Sequence, residues 1–250
     1  MKSQIKQSKF NWWKISLGIF LILSIMVFGA FGYVQAFSYK AKTGPWTNIK
    51  ASIYQSGDLS TVIKTELIII TPVVIDNQVK PLYFIPGGLV EPYAYIDTME
   101  QIAIARKSAV YIQKPLLNLA ITNINQSVRL IKDYGIDKPI IGGHSLGGVV
   151  ACRNIASNPE LFSGLLLIGS YCDASIIGFS GQVNVVYGGN DKILSRDNFE
   201  KNRGNLPMQV AVREVPGLNH SGLFDYGLQK GDGEMTIDKG AYLKILSVTL

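Results

Sequence analysis

Midway along the chain, Pro139-Ile140-Ile141-Gly142-Gly143-His144-Ser145-Leu146-Gly147-Gly148 joins an apolar run directly to a helical pattern. Residues 139–141 read as a buried strand, and Val149, Cys152, Ile155 and Ala156 recur at helical spacing after it. A strand that turns straight into a helix brings the two backbones almost into contact. The residues two before and two after the turn must therefore lack bulk, and Gly143 and Gly147 meet that demand around Ser145. Such a turn holds its central residue at a strained backbone angle and leaves the hydroxyl exposed. The other common glycine-rich junction, a phosphate-cradling loop, ends in Lys-Ser/Thr or carries G-x-G-x-x-G spacing, and this segment has neither.

The rest of the chain has the texture that such a junction needs. Short β-branched runs at 67–75, 82–85, 109–112, 139–141, 164–168, 183–187 and 210–215 are flanked by Gly and Pro, with a candidate first strand at 49–54. Helical patterns lie between several of them: Ile121, Ile124, Val128 and Ile131 form one, and 235–249 closes the chain. Apolar runs alternating with amphipathic helices predict an α/β fold, a mainly parallel sheet with helices on both faces. With 250 residues, 47% of them apolar and 17% charged, the chain has material for one well-filled domain and an appendage.

The appendage is N-terminal. The net charge of +6 suggests a nucleic-acid surface until its distribution is considered. Lys2, Lys6, Lys9, Lys14, Lys40 and Lys42 lie in residues 1–42 without any acid; removing these six from the 24 basic residues leaves 18 against 18 acidic ones. The body is neutral, so no nucleic-acid partner is expected. The excess charge flanks residues 15–37, a run of 23 without a charge. As a helix it spans about 34 Å, enough to cross a bilayer core. Trp12 and Trp13 stand at its entrance, where aromatic rings favour the interface. These features predict a basic cytoplasmic tail at 1–14, a transmembrane signal-anchor helix at 15–37, a linker at 38–46 and a domain at 47–250 on the extracytoplasmic side. The rival reading is a signal peptide cleaved near Ala36, although signal-peptide cores are usually shorter. Cys152 and Cys172 lack metal spacing and read as buried free thiols in preference to a disulfide.

A serine hydroxyl needs a base to become a nucleophile. The chain has two histidines. His144 adjoins Ser145 on a sharp turn, so their side chains should diverge and His144 should pack beside the turn. His220, in Gly217-Leu218-Asn219-His220-Ser221-Gly222 after the last strand, is the remaining base. The acid that orients it is expected to be Asp191, which follows the strand at 183–187 through Gly188-Gly189-Asn190. Asp173, one strand earlier, competes. Negative charge developing on a carbonyl oxygen calls for backbone N–H donors. Leu146, directly after Ser145, supplies one. Gly88, in Phe84-Ile85-Pro86-Gly87-Gly88-Leu89-Val90-Glu91-Pro92, supplies the other, with Leu89 the alternative.

Three segments carry a family resemblance: 84–92, 142–148, and Asn219-His220-Ser221-Gly222-Leu223-Phe224-Asp225-Tyr226-Gly227 continuing into Gly231-Asp232-Gly233, Thr236 and Ile237. The chain resembles small bacterial α/β-hydrolases of the type called alpha/beta hydrolase fold-5, over roughly residues 45–250. The resemblance implies the α/β-hydrolase fold, hydrolase activity, and a Ser145–Asp191–His220 triad in that chain order. The expected reaction is cleavage of a carboxylic ester or related acyl bond in a small-molecule substrate through an acyl-enzyme, with no metal or organic cofactor. An acyltransferase or thioesterase would use the same triad, and a membrane-tethered binding module would use none of it. The interval 168–183 is too short for a large helical lid, which favours a small or accessible substrate. Tyr93, Tyr95, Phe224 and Tyr226 are candidates either for lining a pocket or for ordinary packing.

Overall fold

The computed structural model describes residues 12–42 and 53–249. They divide into two compact units, with the division in the chain between Phe37 and Ser38. The first contains helix α1, Trp12–Phe37, in which Ile15–Val34 is long and apolar enough to cross a membrane. The basic tail before Trp12 lies outside the described residues, as do 43–46 of the expected linker and most of the candidate strand 49–54.

The second unit is built on a nine-stranded sheet. In chain order the strands are β1 (Ile53–Ser56), β2 (Leu59–Ile63), β3 (Leu67–Pro72), β4 (Leu82–Ile85), β5 (Val110–Gln113), β6 (Ile140–His144), β7 (Gly164–Ile168), β8 (Gln182–Gly188) and β9 (Ala211–Val215). Their spatial order is β1-β2-β3-β5-β4-β6-β7-β8-β9. The pairings from β1 through β3 to β5 are antiparallel, and those from β5 to β9 are all parallel. Helices α2 (Ile96–Arg106), α3 (Gln126–Asp133), α4 (Leu146–Ser157), α5 (Arg196–Asn202) and α6 (Lys239–Thr249) complete the unit.

Strand β4 shows why both faces need cover. Its side chains alternate, as the period of two in a strand requires. Leu82 and Phe84 join one core with Ile96, Met99 and Ile102 of α2 and Tyr242 and Leu246 of α6. Tyr83 and Ile85 join the other, with Leu130 and Ile131 of α3 and Val150 and Ile155 of α4. All four β4 side chains are fully buried. Burying an aliphatic or Phe side chain contributes about 1.5–3 kcal/mol, so the central strands hold the layers together.

Two features depart from the expectations. Cys152 and Cys172 are buried, as expected, but they form a disulfide with Cα atoms 5.4 Å apart, which corrects the free-thiol reading. Helix α4 and the loop after β7 converge on one core, and that approach brings the two residues within bridging range. Residues 38–42 run along the domain surface. Tyr39 forms a parallel bridge to Val90; its N–H donates to the Leu89 carbonyl at 2.7 Å, and Glu91 N–H donates to its carbonyl at 2.9 Å. Asn118 Nδ2 donates to Ser38 Oγ at 3.2 Å, and Lys42 N–H donates to the Asp225 carbonyl at 2.9 Å.

Candidate active site

The carboxyl ends of β4, β6, β7 and β8 open on one rim because these strands are parallel. At the end of β6, Ser145 takes φ 51° and ψ −125°, a conformation costly for a residue with a side chain. Its N–H donates to the Ile168 carbonyl of β7 at 2.9 Å, and Ser170 Oγ donates to its carbonyl at 2.7 Å. A Cβ at Gly143 would run into the Gly147 carbonyl group, and one at Gly147 into the backbone of Ile85 and Pro86. The two glycines thus permit the turn for the steric reason read from the sequence.

His220 and Asp191 meet. Nδ1 of His220 donates to Asp191 Oδ2 at 2.8 Å, and both side chains are almost wholly shielded from solvent. The other carboxylate oxygen, Oδ1, accepts the N–H groups of Ile193 at 2.9 Å and Leu194 at 2.8 Å. Burial works to raise the Asp191 pKa. The His220 hydrogen bond and charge, with those two amides, outweigh it and leave the carboxyl below its ordinary value. Nε2 of His220 is buried and has no hydrogen-bond partner. Ser145 and His220 line the same cavity of about 250 Å³, with Leu146, Val149, Tyr171 and Ile193 among its other walls. Gly169, at φ 52°, lets the end of β7 approach closely: a Cβ there would lie 3.0 Å from His220 Nδ1 and 3.3 Å from Asp191 Oδ2.

Asp173 does not join this group. Its carboxylate is held by Arg153 of α4, with Nε at 3.0 Å from Oδ1 and Nη2 at 2.5 Å from Oδ2. The two candidates for the second amide donor also separate. Leu89 N–H is committed to the Asn118 carbonyl at 2.8 Å, and Gly87 N–H to the Tyr95 hydroxyl at 2.8 Å. Between them stands Gly88, where a Cβ would sit 3.0 Å from Leu146 Cδ2. Tyr95, Phe224 and Tyr226 are buried in one core with Phe84, and none of them lines the cavity that Ser145 and His220 share.

Asp232 was not singled out from the sequence, although Gly231-Asp232-Gly233 belongs to the segment that carries the resemblance. Its Oδ1 accepts the N–H of His220 at 3.1 Å; its Oδ2 accepts the N–H and the Oγ–H of Ser221, each at 2.9 Å. Asn219 closes the same loop, donating from Nδ2 to the Gly233 carbonyl at 2.7 Å and accepting Gly222 N–H at 2.7 Å.

Comparison with known proteins agrees with this architecture. No curated protein matches the sequence. Many solved structures share the fold at low identity, three of them as follows. Carboxyl esterase 2 from the mycorrhizal fungus Tuber melanosporum has a TM-score of 0.56 at 14% identity, over 86% of this chain and 95% of that one. A monoacylglycerol lipase from Paleococcus ferrophilus gives 0.54 at 12% identity, over 67% and 92%. A predicted CIB-like hydrolase from Thermoplasma acidophilum gives 0.54 at 13% identity, over 73% and 90%. Residues 81–244 match the alpha/beta hydrolase family, a span that takes in the Ser145 turn, the Asp191–His220 pair and the Gly87–Gly88 loop, and the chain belongs to that family.

Proposed function

We propose that this protein is a membrane-tethered serine hydrolase that cleaves a carboxylic ester through an acyl-enzyme. One observation carries the reading. A buried Asp191–His220 pair leaves the second imidazole nitrogen unpartnered, in a ring that lines the same cavity as Ser145. His220 Nε2 takes the proton of Ser145 Oγ as the oxygen attacks the substrate carbonyl. The N–H groups of Leu146 and Gly88 receive the oxyanion. The imidazolium returns the proton to the departing alcohol, leaving an acyl-serine. Water, deprotonated by the same nitrogen, then releases the acid. Asp191 keeps the imidazole in the tautomer with Nδ1 protonated and stabilises the cation. The cavity wall carries no carboxylate and no Lys or Arg, which suits an uncharged acyl or alcohol group.

The length and composition of α1, with the lysines that flank it, support an anchor whose N-terminus stays in the cytoplasm, and the domain follows on the other side. The reading is tested with the full chain in detergent, a fluorophosphonate probe and p-nitrophenyl acetate. The unaltered protein is expected to label at Ser145 and to release nitrophenol, and Ser145→Ala to do neither. A Ser145→Ala protein that keeps the wild-type rate removes the serine from the mechanism. Alkaline extraction of membranes should leave the full chain in the pellet; release into the supernatant counts against the anchor.

A further inference from the structure

His144 and Tyr95 lie behind the candidate site and take no part in the acyl transfer. Both are fully buried. Their hydrogen bonds form a chain with a fixed direction. The Gly87 N–H donates to Tyr95 Oη at 2.8 Å. A backbone amide can only donate, so the hydroxyl accepts there, and its own proton is free for His144 Nδ1, 3.0 Å away. Across the ring, Nε2 lies 3.2 Å from the carbonyl oxygen of His220, which can only accept, so Nε2 bears the proton, and in the neutral ring Nδ1 is bare and accepts from the Tyr95 hydroxyl. A single neutral tautomer satisfies every contact. Burial, helped by the His220 ring with its centroid 4.6 Å away, holds the His144 pKa well below 6.5. The space behind the site is closed around this chain. A Cβ on Gly87 would lie 2.8 Å from His144 Nδ1 and 3.1 Å from Tyr95 Oη.

We propose that the Tyr95–His144 bridge is a positioning device that fixes the spacing between the loop bearing Gly88 and the loop bearing His220. The proposal rests on the triad reading. Gly87 directly precedes Gly88, the accepting carbonyl belongs to His220 itself, and His144 directly precedes Ser145. Oxyanion donor, base and nucleophile are thereby tied through one pair of buried side chains. A small shift of any of them is felt most in the transition state, where donor and base must both be in reach of the reacting atoms.

The test uses the full chain in detergent with p-nitrophenyl acetate as substrate and thermal unfolding measured beside it. Tyr95→Phe keeps the ring and removes the hydrogen bonds to both Gly87 and His144; it is expected to lower kcat about 10-fold with KM changed less than about twofold. His144→Leu should lower kcat about 100-fold, and His144→Gln, whose amide N–H can reach the His220 carbonyl, should recover at least about fivefold of that loss. Because both substitutions remove the same Tyr95–His144 hydrogen bond, their losses should not multiply, and the double variant Tyr95→Phe/His144→Leu should stay within about twofold of His144→Leu alone. Thr98→Val is the control for stability. Thr98 is equally buried, and its hydroxyl donates to the Leu223 carbonyl at 2.6 Å, away from the chain. It should lower the unfolding temperature and leave kcat within about twofold of wild type. Folded Tyr95→Phe and His144→Leu proteins with wild-type kcat overturn the proposal, as do losses that multiply in the double variant or a Thr98→Val protein as slow as Tyr95→Phe. Absence of fluorophosphonate labelling at Ser145 in the unaltered chain overturns the triad reading instead, so the two failures are distinguishable.

Discussion

At the scale of single residues, two side chains beside the His220 imidazole, Asp191 and His144, illustrate how position sets role. Asp191 spends one oxygen on His220 and the other on two backbone amides, so it is held both in place and in charge. Asp191→Asn is expected to keep the fold and lower kcat by about 10³-fold or more, by letting His220 adopt the wrong tautomer; steady-state kinetics on p-nitrophenyl acetate reads it. Stability should follow pH in two windows. The folded-state pKa of Asp191 is depressed, so its contribution is full above the ordinary carboxylate value of 3.8 and is lost as pH falls through the lower folded value. His144 is held neutral when folded, while the unfolded chain takes up a proton from about 6.5 downward. Its contribution is therefore lost as pH drops below 6.5. Thermal scans between pH 7 and pH 5 should show a smaller loss of unfolding temperature in His144→Gln than in the unaltered protein. An equal loss in both would mean that His144 titrates as freely in the folded state as in the unfolded one.

At the scale of elements, the turn between β6 and α4 is the most tightly determined. Gly147→Ala would press a methyl group onto the backbone of Ile85 and Pro86, where no side chain can yield. A loss of about 3 kcal/mol is expected in denaturant unfolding, with activity falling in the protein that does fold. The disulfide joins α4 to the loop that carries Ser170 and Tyr171, closing a sequence separation of 20. In the chain-entropy view a loop of that length contributes about 3 kcal/mol, so a reductant should lower the unfolding temperature. The Cys152→Ala/Cys172→Ala variant should show the lower value with or without it. Strands at 82–85 and 164–168 stand where their apolar runs lie, because a strand buried on both faces is a continuous apolar word. Strand β2 and helix α2 were not read. Leu59-Ser60-Thr61-Val62-Ile63 mixes hydroxyls with aliphatics and only half of it faces the core. Its one strong signal was the Gly57-Asp58 turn into it, with Gly57 at φ 52°. Helix α2 buries Ile96, Met99, Ile102 and Ala103 at helical spacing, but Thr98 and Arg106 are also buried, and that blurs the apolar stripe.

At the scale of the whole molecule, the residues just after the apolar helix belong to the domain. Tyr39 pairs with Leu89 and Val90, one and two residues beyond Gly88, and its ring packs near that of Tyr226 at 5.6 Å between centroids. A domain cut at residue 43 loses this edge, whereas one cut at 38 keeps it. The shorter form is expected to unfold at a lower temperature and to turn over p-nitrophenyl acetate several-fold more slowly; equal kcat in the two forms would mean that the Gly88 loop holds itself. The sequence by itself determined what local sterics and covalent order can determine. The glycines around Ser145 dictate a strand-to-helix turn, continuous β-branched apolar runs dictate strands, an uncharged run of 23 residues dictates a long apolar helix, and the order of Ser145, Asp191 and His220 suits one rim of a parallel sheet. Only the tertiary structure decided which aspartate touches the imidazole, that two distant cysteines pair, which amide of the 86–90 loop is left uncommitted, and which nitrogen of His144 bears the proton. Each of these depends on where loops far apart in sequence converge. That convergence is set by the packing of two cores against the sheet, which no single stretch of the chain encodes.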